Sequence, residues 1–131
     1  MRVPSNDNEI GIVAAPRAPR GDVASLDGTD TALQAPDAST HFDMLLIPAE
    51  TWEVLIASGF LDERLATLPH DGLLGRQGLA RFRSDVLDRV VEMLEQEIDF
   101  ADFDCRPWLM QLEGLVERAR LRGAAVLVKL Y

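Results

Sequence analysis

The stretch from Leu79 to Arg122 leaves this chain the least freedom. Leu79, Phe82, Val86, Leu87, Val90, Val91, Met93, Leu94 and Ile98 recur at three- and four-residue steps between Gly78 and Ile98. At about 100° per residue they share one wide face, which an amphipathic helix buries. Asp85, Asp88, Glu92 and Glu95 follow the same steps on the opposite face and form one acidic ridge. A second helix is expected from about Cys105 or Arg106 to Arg122. Asp104 suits its N-cap, Pro107 its first turn and Gly123 its end. Trp108, Leu112, Leu115, Val116 and Ala119 give it an apolar stripe. Gly114, mid-helix, costs about 1 kcal/mol relative to Ala. The connection, Asp99 to Asp104, is short, so the two helices should fold back antiparallel.

Such a hairpin gathers like charge at each end. Arg76, Arg81 and Arg83 meet Arg118, Arg120 and Arg122 at the open end. Glu95, Glu97, Asp99, Asp102 and Asp104 collect at the bend, with Arg106 alone against them. For the first helix this polarity opposes the macrodipole, at roughly 0.3–1 kcal/mol per exposed mismatch. A local rule broken in this way points to function or to tertiary pairing.

Composition sets the outer bounds. With 131 residues, 47% of them hydrophobic, one domain with a real core is expected. A net charge of −9 and a pI of about 4.6 argue against broad binding to nucleic acid or anionic membranes, and favour a basic partner or plain solubility. The single cysteine excludes an internal disulfide. No run approaches the ~20 apolar residues of a membrane span, and no targeting signal is legible, so a cytoplasmic location is expected. Arginine outnumbers lysine twelve to one, the usage of GC-rich bacterial coding sequence.

Residues 1–40 hold four of the seven prolines and no sustained period, which predicts a disordered N-terminal arm. Ile10 to Ala15 is the apolar exception, able to dock as a short strand on the domain or on a partner. The domain proper is expected over 41–131. Phe42 to Ile47 reads as a buried strand ending at Pro48, which opens a helix running to about Ser58. Gly59 is placed to end that helix, and Pro69 to Gly72 signals a turn. Ala124 to Tyr131 reads as a closing strand, with Val126, Val128 and Leu130 on one face. These elements predict an α+β domain of three to four helices, centred on an antiparallel helical hairpin, over a short two-stranded sheet. The open sheet edge offers a place for a strand from the tail, from a second copy or from a partner.

Two stretches carry candidate chemistry. Gly72, Gly75 and Gly78, with Arg76, Arg81 and Arg83, can present backbone N–H groups and guanidinium to an anion or nucleotide at the start of a helix. The spacing is neither a Walker A loop nor GxGxxG. The acidic turn suits a hard cation such as Ca²⁺ or Mg²⁺ in ligand type, but lacks the glycine and terminal glutamate of an EF-hand. Phe100 and Phe103 are expected to pin that turn onto the core. Cys105 lies far in sequence from both histidines, His41 and His70, so no catalytic set is assigned, nor any metal or cofactor. The expected function is a non-catalytic, acidic protein–protein interaction module, comparable by analogy with inhibitor, immunity or antitoxin proteins. It would meet a basic partner surface through Asp85, Asp88, Glu92, Glu95, Glu97, Asp99, Asp102 and Asp104. The alternative is a small anion- or nucleotide-binding protein or enzyme built on the Gly72–Gly78 loop.

Overall fold

The C-terminal strand is the axis of the fold. In a computed structural model, which describes residues 11–18, 26, 28–75 and 78–130, β5 (Val126–Leu130) is buried along its whole length. β1 (Gly11–Pro16) pairs with it on one side and β4 (Leu79–Phe82) on the other. β2 (Phe42–Ile47) lies outside β1, and the two-residue β3 (Asp71–Gly72) outside β4. The order is β2-β1-β5-β4-β3, antiparallel throughout.

Five helices accompany this sheet among the described residues: α1 (Thr29–Gln34), α2 (Ala38–His41), α3 (Ala49–Ala57), α4 (Leu87–Phe100) and α5 (Arg106–Arg122). The α+β class therefore stands, while the two-stranded sheet and the three to four helices are corrected. β2 and β5 do not pair with each other, because β1 lies between them. Ile12 to Ala15 are all buried, since β1 has apolar layers on both faces. A strand covered on both sides shows no polar alternation, and this one sits next to a proline-rich stretch. Of the expected arm, 1–10, 19–25 and 27 lie outside the described residues.

The first expected helix is also corrected at its start. Leu79–Phe82 is strand, a short 3₁₀ turn covers Ser84–Val86, and α4 begins at Leu87. Ala80 and Phe82 point into the core, while Leu79 and Arg81 face the other side. The period is therefore two, and the three-residue step from Leu79 to Phe82 was a coincidence of spacing. One consequence is electrostatic. Arg81 and Arg83 lie outside α4, whose first turn carries Asp88, a favourable charge for a helix N-terminus. The expected dipole mismatch at that end does not arise.

One face of the sheet is covered by α3, α4 and α5. Val13, Ile47, Phe82, Val126 and Val128 meet Trp52, Leu87, Leu94, Leu109, Leu115 and Val116 there. Trp52 lies so close beneath β1 that a Cβ on Gly11 would sit 0.9 Å from its Nε1. Only glycine fits that position. α5 is tied to the edge of the sheet by Asp43 of β2, which accepts from Arg118 Nε at 2.8 Å. Arg122 Nε donates to the Pro16 carbonyl at 3.1 Å. The opposite face is smaller: Ile12, Ala14 and Leu33 cluster with Phe42, Met44 and Leu79. Lys129 reaches Asp30 of α1 across it, at 3.3 Å.

The helical hairpin is present, with α4 and α5 joined by residues 101–105. Asp88 acts electrostatically on Arg120, and Glu95 on Glu113. Positions rising along α4 meet positions falling along α5, which is antiparallel packing. α5 ends where expected, at Gly123 in the left-handed conformation, φ 72°, with Ala124 N–H donating to the Ala119 carbonyl.

Candidate interaction surface

The bend of the hairpin is where the side chains depart most from what packing alone would give. α4 unwinds after Phe100, and α5 is started by Cys105 and Arg106, whose N–H groups donate to the Asp102 carbonyl. Asp104 is not the cap. The residues between are held by backbone bonds, which leaves their side chains outward. Phe100 and Phe103 are each 87% exposed, so neither pins the turn to the core. Asp99, Asp102 and Asp104 stand exposed among them, and none takes part in an ion pair among the described residues. Arg106, the one cation of the turn, donates instead to the Ala101 carbonyl at 3.3 Å.

The ridge continues from the turn along the hairpin. Asp88, Glu92 and Glu95 are exposed on α4, and Asp85 on the 3₁₀ turn before it. Glu97 departs from this set: its side chain is 11% exposed and pairs with Arg64 at 2.6 Å. α5 adds two carboxylates that the periodicity of α4 could not reveal. Glu113 lies beside Glu95 and Glu117, and burial first, then those two charges, push its carboxyl above the ordinary range. Glu117 is held below it by Arg120. The signal for Glu113 was present only as its spacing of four from Glu117 on α5.

Among the described residues, the arginines of the expected positive pole pair with carboxylates. Arg118 and Arg122 close on Asp43, and Arg120 on Glu117. Arg81 and Arg83 share Asp71, at 2.6 and 3.0 Å, and hold its carboxyl below the usual range. The glycine loop, Gly72 to Gly78, is described except at 76–77. It links β3 to β4 and leads into a strand, so no helix N-terminus stands behind it. Leu73 N–H donates to the Leu79 carbonyl and Gly78 N–H to that of Gly75. At Gly72, φ is 83° and a Cβ would lie 2.1 Å from the Leu79 oxygen. Gly75 sits at φ 145° with open space around it. Arg76 lies outside the described residues.

Two concavities adjoin these elements. A cleft of about 590 Å³ is lined by Pro69, His70, Asp71, Arg83, Asp85, Val86 and Arg89. His70 Nδ1 donates to the Leu68 carbonyl at 2.9 Å, and its ring packs on Phe82. Two carboxylates face two arginines there, so the cleft has no net sign. A trough also runs between α3 and the hairpin bend, in two adjoining depressions. The larger, about 330 Å³, is lined by Glu50, Thr51, Val54, Asp104, Cys105 and Trp108. The smaller, about 90 Å³, includes Val54, Ser58, Phe100, Asp102, Cys105 and Leu109. Burial, then Asp102, Asp104 and Glu97, raise the Cys105 thiol above its ordinary value, which makes it a poor nucleophile. Trp52 is core, whereas Trp108 is half-buried at the trough.

Among the described residues no three His, Cys, Asp or Glu side chains converge to hold a metal ion. No helix among them is long and apolar enough to cross a membrane. No protein-family model, curated protein or solved structure matches the chain.

Proposed function

We propose that this protein is a non-catalytic interaction module which presents the α4–α5 bend to a basic surface on another protein. The observation that carries this reading is the pair of exposed phenylalanines set among three carboxylates. Large aromatic side chains are enriched at interfaces because each supplies much contact area from few rotatable bonds. Carboxylates around them select a basic partner and speed its approach more than they add affinity. Asp88, Glu92, Glu95 and Glu113 extend the same field along the hairpin.

The test is affinity capture from the native host with three baits: the wild-type chain, Phe100→Ser/Phe103→Ser, and Asp99→Asn/Asp102→Asn/Asp104→Asn. All five positions are exposed, so the variants should keep the wild-type circular dichroism spectrum and melting temperature. The proposal expects a partner that both variants lose, and whose capture falls steeply between low and high salt. A partner retained equally by both variants would overturn it.

A further inference from the structure

We infer that the trough between α3 and the hairpin bend seats a basic amphipathic helix of the partner. This rests on the reading of the bend as an interaction surface and says what lies against it. On α3, Trp52 and Leu55 are buried, but Val54 is 44% exposed and opens onto both depressions. Phe100 and the half-buried Trp108 stand on the hairpin side. Val54 and Trp108 give the floor of the trough an apolar strip, with Phe100 standing at its edge and polar side chains making up the rest of the lining, and no described segment lies over it.

The rim decides the sign of the occupant. Glu50, Asp102 and Asp104 are exposed around this floor, and none has an ion pair among the described residues. An acidic segment would be repelled, while Lys or Arg flanking an apolar stripe would meet these carboxylates on both sides. The floor decides its shape. The depressions share Val54 and Cys105, so they adjoin and accept two neighbouring apolar side chains. A helix supplies such pairs one turn apart, at about 5.4 Å. The walls present side chains rather than strand backbone, which suits a helix laid in a groove and not an added strand. At nine residues, α3 gives the trough a wall of roughly 14 Å, enough for two to three turns.

The probe is a fluorescein-labelled synthetic 18-residue Leu/Lys peptide with leucines at i, i+4, i+7 and i+11, compared with an isomer of identical composition whose leucines are scattered. Occupancy is read from the fluorescence anisotropy of the peptide. The amphipathic peptide should bind at least fivefold more tightly than the isomer. Val54→Glu should abolish that preference, as should the surface change Glu50→Lys combined with Asp104→Lys. Equal binding of both peptides, or a preference that persists in these variants, would overturn the inference. Capture with Val54→Glu as a fourth bait separates the two proposals. If that bait keeps a partner which the bend variants lose, the trough assignment fails and the interaction module stands.

Discussion

Gly11→Ala is the most demanding perturbation of this fold. The added Cβ falls 0.9 Å from Trp52 Nε1 and 1.5 Å from Cε2, inside the indole itself. Neither side gives easily. β1 is hydrogen-bonded on both edges, and Trp52 is 1% exposed on α3. The indole must leave its site, so the loss approaches that of deleting a buried aromatic, about 3–5 kcal/mol. Set against a typical domain stability of about 5–15 kcal/mol, that is a large fraction. In a chain of this size the melting temperature should fall by roughly 10 °C or more. The assay is urea unfolding followed by circular dichroism for Gly11→Ala, Trp52→Leu and the double variant. Trp52→Leu destabilises by itself but vacates the space the new methyl needs. The double variant should therefore be more stable than the sum of the singles by about 1.5 kcal/mol or more. A Gly11→Ala protein within about 0.5 kcal/mol of wild type, or a strictly additive cycle, would refute the placement of β1 over α3.

Two carboxylates give opposite dependences on pH. Asp71 is depressed below its ordinary 3.8, first by its hydrogen bond from Arg81 and then by that from Arg83, so its contribution to stability is present above that value and is lost as pH falls through its lower folded value. Asp71→Asn should lower the urea midpoint at pH 7, and the gap to wild type should close below pH 3.8. Glu113 is raised above its ordinary 4.5, so its charged form opposes folding at neutral pH and the penalty is relieved as pH falls through the raised value. Glu113→Gln should raise the urea midpoint at pH 7, with the advantage gone below pH 4.5.

The parts of the fold that the sequence made legible are those where one local rule acts alone. The end of α5 at Gly123, the close of α3 before Gly59 and the shared face of Val126, Val128 and Leu130 each follow from a cap or a period, and the structure has them all. The apolar run Phe42–Ile47 is a strand as expected, but it lies at the sheet edge, half-buried with Leu46 exposed rather than buried. What stayed hidden depends on tertiary context. Gly11 to Ala15 has the same composition whether it lies in a tail or between two strands; only the existence of β5 and β2 decides. Leu79–Phe82 fits a helical step and a strand alternation equally well over four residues, and pairing with β5 selects the strand. At the candidate surface, the exposed acids Asp85, Asp88, Glu92, Glu95, Asp99, Asp102 and Asp104 were legible from spacing. The burial of Glu97 against Arg64 was not, because Arg64 lies in a separate element. Nor was the exposure of Phe100 and Phe103, since an aromatic in a short turn is ordinarily drawn inward.

That exposure and the surrounding charge explain each other. Among the described residues, seven cations are taken into ion pairs within the chain: Arg64, Arg81, Arg83, Arg118, Arg120, Arg122 and Lys129. None of these pairs involves Asp99, Asp102 or Asp104 of the bend. Burying one phenylalanine yields about 1.5–3 kcal/mol, so two exposed rings leave roughly 3–6 kcal/mol unused by folding and open to an association. Two copies of this chain would gain by joining their rings, but doing so would bring Asp99, Asp102 and Asp104 of each against the other. On the interaction-module proposal, like charge would keep the apolar anchors available to a basic partner and closed to a second copy. Asp99→Asn/Asp102→Asn/Asp104→Asn should therefore self-associate at low salt where the wild-type chain does not, as read by light scattering over a concentration series. Adding Phe100→Ser and Phe103→Ser should restore the wild-type mass. If the neutralised chain scatters like the wild type, the carboxylates do not guard the rings, and the bend is only a solvated turn.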